Sequence, residues 1–100
     1  MKRTILITSA LLILYGCASQ LYQPASLNVQ KARQVEPDIT LAELQSARKL
    51  YAAKCSSCHN LHLPGEYTAI QWPKILDKMQ PKARISDDQK KLILAYLTSE

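Results

Sequence analysis

Two cysteines stand one helical turn apart in Cys55-Ser56-Ser57-Cys58, and His59 follows at once. No other feature limits the fold as sharply, because each chemistry such a triplet serves needs a different scaffold. A zinc site wants four ligands, and beyond these three the chain offers only His62 and scattered carboxylates. A thioredoxin-like dithiol belongs beside a βαβ unit, and no segment here alternates like a strand. A plain disulfide leaves His59 without a task. Attachment of haem c uses all three residues. Thiols at i and i+3 add to the two vinyl groups on one porphyrin edge, and the adjacent imidazole is held beneath the iron. The expectation is one covalent haem c per chain, bound by Cys55, Cys58 and His59, with His59 on the metal.

The rest of the sequence is consistent with that demand. Two glycines in 100 residues argue against a Gly-rich phosphate loop and against a fold of many β-turns. The net charge of +5 comes without the dense basic runs of a nucleic-acid binder. Lys2 and Arg3 precede an apolar run from Ile5 to Tyr15, too short for a bilayer span of about 20 residues. A charged start, a short apolar stretch and small residues after it read as an export signal. The run closes on Leu14-Tyr15-Gly16-Cys17, which resembles the lipobox of bacterial lipoproteins, although Tyr15 is larger than the usual residue. Lipidation of Cys17 accounts for the odd third cysteine; ordinary cleavage near Ala18 is the competing reading and would discard it.

Three zones follow. Residues 1–16 are the signal, 17–38 a flexible tether, and 39–100 the folded domain. Ser, Gln, Asn, Pro24 and Pro37 give the middle zone its tether character, with a short helix inside Leu27–Val35 as the alternative. The domain is all-α. Thr40-Leu41-Ala42-Glu43 is a capping-box pattern, and Leu41, Leu44, Ala47 and Tyr51 then recur at helical spacing to about Lys54. Thr68-Ala69-Ile70-Gln71 offers a second box, with Pro73 in the first turn as the alternative start. Trp72, Ile75, Leu76 and Met79 share one face of that helix, which Pro81 is expected to end. Ser86-Asp87-Asp88-Gln89 opens the last helix, whose stripe is Leu92, Ile93, Tyr96 and Leu97. Roughly 60 residues make a marginal core without a staple, and the haem supplies one.

Met79 is the only methionine besides the initiator, twenty residues after His59 and on the apolar face shared with Trp72. It is the expected axial ligand opposite His59. Core filling by Met79, ligation by His62, and a lysine or open site are the alternatives. A carbonyl in the Leu63–Pro64 turn is the expected acceptor for the His59 Nδ1 hydrogen. Trp72 is expected against the haem or under a propionate through its indole N–H, or simply in the core. Lys74, Lys78, Lys82, Arg84, Lys90 and Lys91 cluster around the Met79 helix and the start of the last one. They read as a solvated face or as a docking patch for an acidic redox partner.

From about Leu44 to Leu97 the chain resembles the small monohaem class I c-type cytochromes of bacteria. The resemblance rests on Tyr51 four residues before Cys55, on Cys55, Cys58 and His59, on Pro64, Tyr67, Trp72 and Met79, and on a closing helix with Ile93, Tyr96 and Leu97. The pentapeptide is highly specific, the Trp72–Met79 segment less so. The family implies three main helices around one haem, His/Met ligation and single-electron transfer. It also implies first and last helices packed across each other near Tyr51 and Tyr96. The short stretch from His59 to Met79 departs from mitochondrial members and covers less of the ring.

No paired carboxylate, Ser/His/Asp set or haem-independent nucleophile is present, so no enzyme activity and no small-molecule substrate are expected. The function expected is that of a lipid-anchored cytochrome c carrying electrons between periplasmic or surface redox partners, on the outer membrane if the cell is Gram-negative. The alternatives are a haem sensor with a labile sixth position and a haem subunit of a larger oxidoreductase.

Overall fold

The computed structural model describes residues 20–55 and 61–100, which form four α-helices and no strand. They are α1 (Ser26–Ala32), α2 (Leu41–Cys55), α3 (Gln71–Ala83) and α4 (Asp87–Leu97), with a 3₁₀ turn at Pro64–Glu66 between α2 and α3. The all-α class agrees with the sequence. Among the described residues no helix is long and apolar enough to cross a membrane.

The capping boxes form as written in the sequence. Thr40 Oγ1 accepts from the Glu43 N–H at 3.2 Å, and the Glu43 carboxylate accepts from the Thr40 N–H at 3.3 Å. Ser86 and Gln89 exchange the equivalent bonds at 3.1 and 2.9 Å at the head of α4. Thr68 and Gln71 do so at 3.2 and 3.0 Å, so the box leads into α3 and Pro73 also lies in its first turn.

Pro81 does not end α3, contrary to expectation. The helix continues to Ala83 and stops at Arg84, whose φ of 56° and ψ of 48° are left-handed. One missing N–H near a helix end removes a single bond. The turn closes instead where the Arg84 and Ile85 N–H groups return to the Gln80 carbonyl and Ile85 turns into the core.

The core lies where α2 and α4 pack on each other. Leu44, Ala47 and Tyr51 come from α2, and Ile93, Ala95, Tyr96 and Leu97 from α4. Tyr51 and Tyr96 meet there with ring centroids 6.4 Å apart. Trp72 and Leu76 add the buried side of α3.

The described part of the segment read as a tether, residues 20–38, is packed rather than free. Leu21, Val29 and Ala32 are buried, and Tyr22 stacks on Tyr96 at 4.5 Å with ring planes 3° apart. The Tyr22 hydroxyl meets the Tyr96 carbonyl and the Ser99 Oγ, and the Tyr96 hydroxyl donates back to the Tyr22 carbonyl at 2.8 Å. Asn28 Nδ2 donates to the Ser99 carbonyl at 2.7 Å, while the Arg48 guanidinium donates to the carbonyls of Leu21 and Tyr22. The start and end of the described chain are thus clasped. The helix weighed as the alternative for 27–35 exists, as Ser26–Ala32.

Burial pushes the Tyr22 hydroxyl from its ordinary 10.0 up to about 12; the Ser99 bond opposes the rise, and the Glu100 carboxylate adds to it. The neutral phenol is therefore the form the fold favours. Its stabilisation is whole below pH 10 and is lost as pH climbs through about 12. The urea midpoint should fall over that interval, and should fall less in Tyr22→Phe, which keeps the stack but has no proton to lose.

Candidate functional site

Cys55 is the last residue of α2, half-buried and packed against the core one turn beyond Tyr51. Cys58 and His59, and Cys17 at the other candidate modification site, lie outside the described residues. The chain is described again from Leu61, where Leu61 and Leu63 also pack on the core. Tyr51 ties the two sides of this passage together, its hydroxyl donating to the His62 carbonyl. Burial raises the Tyr51 pKa, with the Cys55 side chain the next contributor. The phenol stays a donor across the physiological range.

The His62 ring is engaged locally. Its Nδ1 stands 3.5 Å from the Glu66 carboxylate, and its plane meets Tyr67 edge-on at 5.3 Å, with the side chain 47 % exposed. Glu66 in turn accepts the Leu63 N–H, closing the 3₁₀ turn.

Trp72 is 2 % exposed, and its indole N–H donates to the Pro64 carbonyl at 2.9 Å. Tyr67 and Tyr51 both contact it edge-to-face, at 5.1 and 6.3 Å. The expectation that this N–H serves a propionate is therefore corrected. An indole has one donor, and Pro64 holds it, so the side chain serves the core. The same contact bears on the turn expected to orient His59. The Pro64 carbonyl takes the Trp72 N–H, and the Leu63 carbonyl takes the Glu66 N–H at 3.0 Å. Trp72→Phe would strip the donor from the buried Pro64 carbonyl, at a cost of about 1–3 kcal/mol. Urea unfolding should show it as a lowered midpoint with an unchanged slope.

Met79 lies two turns beyond Trp72 on α3, about 10 Å along the axis. It is half-buried, yet it is not among the described side chains packed into the core cluster, whereas Ile75 one turn earlier is. Cys55 ends α2 and Met79 stands on the third turn of α3, and Leu61, Leu63, Tyr67 and Ile75 pack on the same core as Cys55.

Around α3 and the start of α4, Lys74, Lys78, Lys82, Arg84 and Lys91 are exposed. Lys90 is tied to Asp77 at 2.9 Å, a bond that raises its pKa. The opposite charge gathers elsewhere: Glu36, Asp38, Glu43 and Asp88 line one cleft with Leu92. Asp77 and Asp87 also lie within the basic region, so the lysine face of α3 and α4 is interspersed with carboxylates.

Two of these features carry no local signal in the sequence. The partner of Trp72 is a backbone carbonyl eight residues away, and the buried Ser99 is held by Tyr22, Asn28 and the Tyr96 carbonyl. Compared with models of protein families, with curated proteins and with solved structures, the chain matches none of them.

Proposed function

We propose that the protein is a monohaem c-type cytochrome carrying single electrons between redox partners, anchored to a bacterial membrane through lipid on Cys17 and facing the periplasm or cell exterior. The observation that carries the reading is the Cys55-Ser56-Ser57-Cys58-His59 motif, with its first thiol half-buried on the core at the end of a packed helix. Among the described residues, three observations support the reading. Cys55 stands against apolar neighbours, Leu61 and Leu63 follow it onto the same core, and Met79 supplies a half-buried thioether outside the core cluster.

Cys55 and Cys58 would hold the group covalently, and His59 and Met79 would bind its metal. When bound, the haem supplies an iron that alternates between ferric and ferrous forms. The chain's own residues do the rest. The α2–α4 contact and the Tyr51 bond to the His62 carbonyl hold the attachment segment at both ends. Leu61, Leu63, Tyr67 and Ile75, which pack on the same core as Cys55, would give such a centre apolar cover against water. Methionine and histidine together as ligands would raise the potential of such a centre. The exposed lysines of α3 would steer an acidic partner toward it.

Expression alongside a c-type maturation system tests this. The expected result is haem that survives denaturing electrophoresis and a reduced spectrum unchanged by carbon monoxide. Chain free of covalent haem would overturn the reading. Rapid carbon monoxide binding would replace the six-coordinate carrier by a ligand-binding protein.

A further inference from the structure

We propose that Leu21–Ala32 is a clasp rather than a tether, so that lipid on Cys17 holds the domain against the bilayer with the α1 side toward the membrane. This rests on the lipoprotein reading of Cys17. A free segment from 17 to 38 would let the domain range up to about 75 Å from its anchor. The chain has no such reach. Leu21 is 2 % exposed, and Tyr22 is stacked on Tyr96 and bonded to it in both directions. Only four residue steps separate Cys17 from Leu21, at most about 14 Å. The lipid therefore enters the bilayer beside the clasp.

The surface next to the clasp suits a membrane. The described residues include two exposed large hydrophobics, Leu27 at 83 % and Ile70 at 80 %. Leu27 lies on α1 and Ile70 in the turn before α3. These two elements border the same clefts, of about 250 and 210 Å³, each lined by Lys31 and Ala69. Lys31 follows Leu27 by one turn and holds the Glu100 carbonyl at 3.2 Å. An apolar pair with a cation between its elements matches the interface of acyl chains and anionic headgroups. Lys82 stands in the last turn of α3, five residues before α4 begins, and the α4 axis from there to the clasped end runs about 16 Å.

The test uses the mature lipidated protein in phosphatidylethanolamine–phosphatidylglycerol vesicles with and without a nitroxide-headgroup lipid. A fluorophore is placed at Gln30→Cys on α1 or at Lys82→Cys on α3, both exposed positions. The nitroxide should quench the label at 30 and leave the label at 82 bright. Equal quenching at both positions would overturn the proposal, because a free tether presents every face alike. Mass analysis of Cys17 and hydrogen exchange of a Cys17→Ser form separate the causes of failure. An unacylated Cys17 removes the anchor together with the lipoprotein reading, while exchange protection over 21–32 would still report an intact clasp. Rapid exchange over 21–32 would overturn the clasp itself, whatever the state of Cys17.

Discussion

Replacing both Cys55 and Cys58 by serine is expected to abolish covalent haem altogether, and either change alone to leave one thioether. The effect is all-or-none because serine hydroxyls do not add to the vinyl groups in place of thiols. Haem staining after denaturing electrophoresis reads it directly. A double variant that still carries haem through denaturation would end the proposal. The consequence for folding is more graded. A domain beginning at residue 39 would rely on its haem for much of its core. The clasp changes that account, since Leu21, Val29 and Ala32 join Leu44, Tyr51, Ile93 and Tyr96 in one core. Far-UV circular dichroism of the double variant should retain the signal of α1, α2 and α4. The attachment segment and α3 should lose stability first, since Cys55 and Leu61–Leu63 flank the missing group.

How much of this was legible in advance follows from how local each determinant is. The capping boxes at Thr40, Thr68 and Ser86 are contained in four residues each, and all three form. The α2 and α4 stripes repeat over several turns, so Leu44, Ala47, Tyr51, Ile93, Tyr96 and Leu97 were recognisable as core. Pro81 misled because its local cost is one hydrogen bond, and the closing turn through Gln80 and Ile85 outweighs it.

The clasp was illegible for a different reason. Its helix buries only Val29 and Ala32, too few positions to establish a period. Its other anchors, Tyr22 with Tyr96 and Asn28 with Ser99, join residues more than 70 apart in sequence. The candidate site divides the same way. The thiol spacing is local and readable; the commitment of the Trp72 N–H to Pro64 depends on how the 3₁₀ turn docks on α3.

Met79→Ala should then show what the thioether does. If Met79 binds the metal together with His59, its loss would free one ligand position, lower the potential, and let the reduced protein take up carbon monoxide or imidazole. Stability should change little, because Met79 is only half-buried and stands outside the core cluster. A buried core methionine cut to alanine would instead cost about 2–5 kcal/mol. Spectrum and stability thus move in opposite patterns under the two roles of this side chain. A large fall in urea midpoint with an inert, carbon monoxide-insensitive spectrum would make Met79 core filler. A new carbon monoxide spectrum with a nearly unchanged midpoint would make it the ligand. His62→Ala supplies the cross-check, since its ring is occupied by Glu66 and Tyr67. That variant should leave the carbon monoxide response as in the parent, and a response there in place of one in Met79→Ala would move the sixth position to His62.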